Sequence, residues 1–175
     1  MTRILPALLV AAVSVAFSQT PAAPTPPARP GAELLAFTLE ENRGETAVKL
    51  GPPVHTGAFG PGYISWFYQV GMSDEDFSHT LLFRTSDGKL VSITRAFDPE
   101  ITVDHLFPAS ETVMRYWPDA KAPQFKARVR KLSGDRLLVA MGSAEGQKCG
   151  QVLLIRRSAV PIFFPWLEDP TPGKP

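Results

Sequence analysis

Cysteine, histidine, long apolar runs and surplus charge are all scarce in this 175-residue chain, and each scarcity excludes something. The single cysteine, Cys149, leaves no intramolecular disulfide framework. Eighteen basic residues against 17 acidic ones, a formal net charge of +1, are too balanced for a dedicated nucleic-acid binder. The histidines His55, His79 and His105 stand far apart, without the helical or cysteine-paired spacing of a local zinc site. No phosphate-cradling glycine loop opens a helix, so no nucleotide cofactor is expected. Gly142-Ser143-Ala144-Glu145-Gly146 misses the nucleophile-elbow order by one position, and Asp74-Glu75-Asp76 lacks the ligand periodicity of a calcium loop. A hydrolase is therefore the least supported reading. An apolar fraction of 44% excludes a wholly disordered chain.

What the ends contain is more positive. Met1-Thr2-Arg3 brings one charge, Ile4 to Phe17 is nearly all apolar, and Ala16 and Ser18 put small residues at the two positions a signal peptidase reads. This is the pattern of a secretory signal, residues 1–18, and the run falls short of the ~20 residues a spanning helix needs. Residues 19–31 are so rich in proline that they favour an extended tether. Residues 32–168 form the expected single domain and 169–175 a tail. The mature protein is expected to be periplasmic or secreted, without a transmembrane segment.

Charge divides the domain. Residues 33–104 hold five basic and eleven acidic side chains, whereas residues 105–175 hold eleven basic and six acidic. Two halves that attract each other, or separate faces for separate partners, both fit that division.

Thr38-Leu39-Glu40-Glu41 has the form of a capping box, predicting a helix from Thr38 that carries Leu39, Ala47, Val48 and Leu50 and stops at Gly51-Pro52-Pro53. The period then changes to two. Alternation predicts strands over Tyr63–Val70, Phe77–Arg84 and Leu90–Phe97, the last two joined by an Asp87-Gly88 turn. The second half repeats the habit, with a weak strand over Thr112–Trp117 and others over Phe125–Leu132, Arg136–Gly142 and Gln151–Arg157. Asp104–Pro108 reads as a linker or single helical turn. The expected fold is α+β: one N-terminal helix packed on an antiparallel sheet of about six strands.

Thr38-Leu-Glu-Glu41, Val48-Lys-Leu-Gly51-x-Pro53, Trp66-Phe-Tyr68 and Leu82 through Val91 together resemble, over residues 37–97, the small outer-membrane-assembly lipoproteins of the SmpA/OmlA (BamE) type and their inhibitor relatives. The family's lipid-bearing N-terminal cysteine and second helix have no counterpart here. The resemblance implies an α+β fold and a protein-binding, non-catalytic role in the cell envelope.

Two surfaces are candidates for function. Lys126, Arg128 and Arg130 alternate along one strand, with Arg136, Arg156 and Arg157 on its neighbours, a basic face able to hold carboxylate or phosphate groups. Phe163, Phe164 and Trp166 form a closing apolar run expected either to fold back on the sheet or to dock a partner. Cys149 lies in a glycine-flanked stretch that reads as a turn; two states are open, a buried and inert thiol or a free or intermolecular one, and no catalytic role is expected. The leading reading is an exported, non-enzymatic adaptor, monomeric or weakly oligomeric, whose partner is another envelope or secreted protein. A binder of anionic glycan, lipid or phosphate is the alternative.

Overall fold

The computed structural model describes residues 29–70, 77–116, 125–143 and 148–167, so residues 1–18, expected to be a signal, and most of 19–31, expected to be a tether, lie outside the described residues. Eight strands form one antiparallel sheet: β1 (His55–Ala58), β2 (Tyr63–Val70), β3 (Phe77–Arg84), β4 (Leu90–Thr102), β5 (Thr112–Tyr116), β6 (Phe125–Leu132), β7 (Arg136–Ser143) and β8 (Lys148–Arg156). Their order is β1-β2-β3-β4-β8-β7-β6-β5. Each half of the chain is thus a four-stranded meander, and the last strands of the two meanders pair at the centre, from Ser92 opposite Ile155 to Thr102 opposite Lys148.

This corrects the expected α+β arrangement of one N-terminal helix on six strands. The described residues are mostly β, with eight strands and two short helices, α1 (Arg43–Leu50) and α2 (Val160–Phe163). α1 buries only Thr46 and leaves Val48 88% exposed, so it is no layer of the core. The predicted capping box half forms: the Thr38 N–H donates to Glu41 Oε1 at 3.2 Å. The backbone nevertheless turns through a left-handed Leu39 (φ 65°) instead of starting a helix. That conformation costs a non-glycine residue about 1–2 kcal/mol, and full burial of a leucine returns about 2 kcal/mol. Leu39 is 0% exposed, so core burial decides the turn. The helix begins four residues later on a second box, in which Asn42 Oδ1 accepts from the Glu45 N–H (3.1 Å) and Glu45 Oε2 from the Asn42 N–H (2.8 Å).

Both faces of the sheet are covered. On the first, Leu34, Phe37 and Leu39 from the N-terminal segment, with Leu106 and Phe107 from the 3-10 turn that follows β4, pack on Leu81, Phe83, Ile93, Leu138, Val152 and Leu154. On the second, Ala159, Val160 and Leu167 pack on Val91, Val129, Val139, Leu153 and Ile155. This explains why Leu137–Ala140 and Val152–Ile155 are unbroken apolar runs: alternate side chains enter opposite cores. Gly31 marks a close approach between cover segments. Its φ is +83°, and a Cβ there would sit 2.9 Å from Leu106 Cδ1.

Candidate functional site

Strand period and sheet order bring Arg128, Arg130, Arg136 and Arg156 together on the first face, but each guanidinium is turned onto a cover segment. Arg128 pairs with Asp104 and lies 5.3 Å from the Phe107 ring centroid. Arg130 donates to Glu111 Oε2 (2.7 Å) and to the Leu106 carbonyl (3.0 Å). Arg136 donates to the Phe37 carbonyl at 2.7 Å. Arg156 spans the carbonyls of Leu90 and Leu39 and the Glu40 carboxylate, whose pKa falls below its ordinary value chiefly through that hydrogen bond. These four residues strap residues 37–40 and 104–111 to the sheet. Lys126, half-buried, shares the register of Arg128 and Arg130 on β6.

Arg157 goes elsewhere. It opens the 3-10 turn after β8 and lines a groove of ≈ 410 Å³ on the second face, beside β5. The floor is apolar: Val113, Val129, Leu137 and Leu167. Val113 sits opposite Val129 and Lys131 opposite Leu137, so three adjacent strands build it. Arg115, Lys131, Arg157 and Glu111 supply the charge. Glu111 is already paired with Arg130. Arg115 is held over the groove by bonds to the carbonyls of Leu167 (3.4 Å) and Met114 (3.3 Å), which leave its charge uncompensated. Among the described residues, neither Lys131 nor Arg157 has a side-chain hydrogen bond or ion pair. The groove is therefore cationic over an apolar floor, and β5, an outer strand of the sheet, pairs only with β6 among the described residues. Sequence reasoning singled out Arg157 and passed over Arg115 and Lys131. The available signal was the Arg130-Lys131 doublet, since adjacent basic residues on a strand charge both faces.

The closing run folds onto the second face. Phe163 packs edge-on against Tyr63 at 4.9 Å and tilted against Phe59 at 6.0 Å, and Phe164 and Trp166 are half-buried beside it. Cys149 is not in a turn. It lies within β8, 2% exposed, and burial pushes its thiol up to about 11, against ordinary values near 9.0. Of the two states left open the thiol takes the buried one, and the turn reading of its stretch is corrected to a strand. The histidines have separate partners. His55 meets the Phe67 ring, His105 the Pro30 carbonyl at 3.1 Å, and buried His79 the Glu33 carboxylate at 3.3 Å. Arg95 shares that carboxylate, and although burial raises the Glu33 pKa, the bonds from His79 and Arg95 bring it below its ordinary value. Among the described residues no three acidic, histidine or cysteine side chains converge as metal ligands, and no helix is long and apolar enough to cross a membrane. Asp74-Glu75-Asp76 lies outside the described residues.

No protein-family model matches the chain, and no curated protein matches it significantly. Solved structures are similar to it, two of which follow. An extracellular protein containing an SCP domain from Bacillus anthracis aligns over 79% of this chain and 50% of its own, with 9% identity and a TM-score of 0.53. A cysteine-rich secretory protein from Staphylococcus aureus aligns over 73% of this chain and 46% of its own, at 11% identity and a TM-score of 0.47. The chain spans about half the length of these proteins, and the former likeness is one of fold.

Proposed function

We propose that this chain is an exported, non-catalytic binding module that holds another protein of the bacterial envelope or exterior. One observation carries the reading: the groove beside β5 joins an apolar floor to cations that no described residue neutralises. Such a combination suits recognition, since apolar area supplies affinity while charge supplies choice of partner. Export is supported by the signal pattern of residues 1–18, and the extracellular description of the Bacillus anthracis protein of similar fold agrees with it. The resemblance of residues 37–97 to envelope-assembly lipoproteins points the same way. A second reading, capture of an anionic glycan, lipid headgroup or phosphate, is favoured by Lys131 and Arg157 but leaves Val113, Val129 and Leu137 without a role.

Crosslinking the processed protein in its native envelope tests the proposal. A discrete protein adduct, sensitive to charge reversal at Lys131 and Arg157, is expected. Adducts formed only with glycan or lipid would contradict it, as would catalytic turnover abolished by changing His79 or Cys149.

A further inference from the structure

We infer that the groove takes an extended acidic peptide, added to the sheet as a ninth strand alongside β5. This rests on the reading of the chain as a protein-binding module and names the segment it holds. β5 is an outer strand, and an outer strand presents every second N–H and C=O away from its neighbour, a ready template for one more strand. Its side chains are open on both sides of the sheet: Val113 is 47% exposed and Met114 36%. Val113 and Arg115, two residues apart, share the groove face. An added strand follows the same period, so its alternate side chains on the groove face flank β5, an apolar one beside Val113 and an acidic one beside Arg115, within the field of Lys131 on β6 and of Arg157 in the turn after β8.

Charge selects the occupant. Glu111, the carboxylate among the groove's described residues, is committed to Arg130, while Arg115, Lys131 and Arg157 have no acidic partner among the described residues, so the ligand is expected to bring acid. A second copy is disfavoured, because Thr112–Tyr116 paired with itself would set Arg115 against the same three cations across the interface. β5 has five residues, which fixes the length of the paired segment at about five residues, roughly 17 Å of extended chain.

The test uses the full processed chain and a labelled heptapeptide, Thr-Val-Thr-Glu-Thr-Glu-Thr, blocked at both ends, with binding read by fluorescence anisotropy. Saturable binding is expected, weakened at least tenfold by Lys131→Glu with Arg157→Glu and lost for the peptide with lysine in place of glutamate. N-methylation of one alternating set of peptide amides should abolish binding and of the other set should not, a readout that leaves the protein's own stability untouched. Equal binding of the lysine peptide, or indifference to both N-methylated sets, overturns the inference. Charge-reversal-sensitive binding of dextran sulfate or phosphatidylglycerol vesicles without peptide binding overturns it in favour of an anionic polymer or lipid. If native-envelope crosslinking still yields a protein adduct while the peptide fails, the strand-addition inference falls and the binding-module reading stands; if both fail, both fall.

Discussion

Arg156, at the end of β8, donates to the backbone carbonyl of Leu39, 117 residues earlier in the chain. The same side chain reaches the Leu90 carbonyl at 3.0 Å and Glu40 Oε1 at 3.0 Å, so one planar fork ties the left-handed turn, β4 and the acidic N-terminal segment together. A basic second half and an acidic first half thus meet, in part, through one residue.

Arg156→Ala is expected to cost about 3 kcal/mol, because it removes charge-assisted bonds and strands partly buried carbonyls. Arg156→Lys should recover only part of that loss, since an ammonium cannot reproduce the fork. Denaturant midpoints give the energy. Amide exchange should rise first in residues 37–41, the turn the fork holds, and a uniform rise across the sheet would contradict this assignment.

Glu41 makes a second tie. Its carboxylate is buried and bonded to Lys49 at 2.7 Å. Burial raises its pKa, but the bond from Lys49 and the backbone N–H groups of Glu41 and Thr38 outweigh it and bring it to about 2 from the ordinary 4.5. A depressed folded-state value means stability that is fully present above the unfolded value and lost as pH falls through the folded one. The protein should lose stability between about pH 4.5 and 2, and Glu41→Gln should flatten that part of the profile while costing about 1–2 kcal/mol at neutral pH. Thermal unfolding followed from pH 7 to 2 checks both.

Gly142 and Cys149 test the β7–β8 pairing. A Cβ on Gly142 would fall on the Lys148 carbonyl oxygen and 2.9 Å from Cys149 Cα, backbone against backbone. Gly142→Ala should therefore destabilise by about 1–3 kcal/mol, the usual cost of overpacking. The native thiol, with its pKa near 11, should resist a disulfide reagent at pH 8 until denaturant opens the sheet, and Gly142→Ala should lower that denaturant concentration. Fast labelling of the unchanged native protein would contradict this.

How much of this was legible depends on whether the deciding contact is local. Alternation alone located Tyr63–Val70, Phe77–Arg84 and Phe125–Leu132 with the ends they have in the structure, because each strand carries its own apolar period. β1 escaped notice, since His55-Thr56-Gly57-Ala58 is an outer strand with no apolar face to declare it. β4 runs on past Phe97, where the alternation ends: the strand is irregular between Ala96 and Ile101 and resumes pairing at Ile101. The helix was placed early because Thr38–Glu41 has the right side chains, while the demand that Leu39 enter the core comes from strands far away in sequence. The basic residues Arg128, Arg130, Arg136 and Arg156 were visible as a group. Their work was not, because their partners are largely backbone carbonyls brought near only by the finished topology. The groove depends on the same non-local assembly, with Val113, Leu137 and Leu167 meeting from three separate stretches.

The most direct measurement places a photo-crosslinking amino acid at Val113, on the groove, and separately at Val48, an exposed apolar residue of α1, in the otherwise unchanged protein in its native cells. A groove that holds a partner predicts one discrete protein adduct from position 113, none from position 48, and loss of that adduct when Lys131 and Arg157 are reversed to glutamate. Equal adducts from both positions, or an adduct from 113 that survives the charge reversal, would contradict the assignment of this surface.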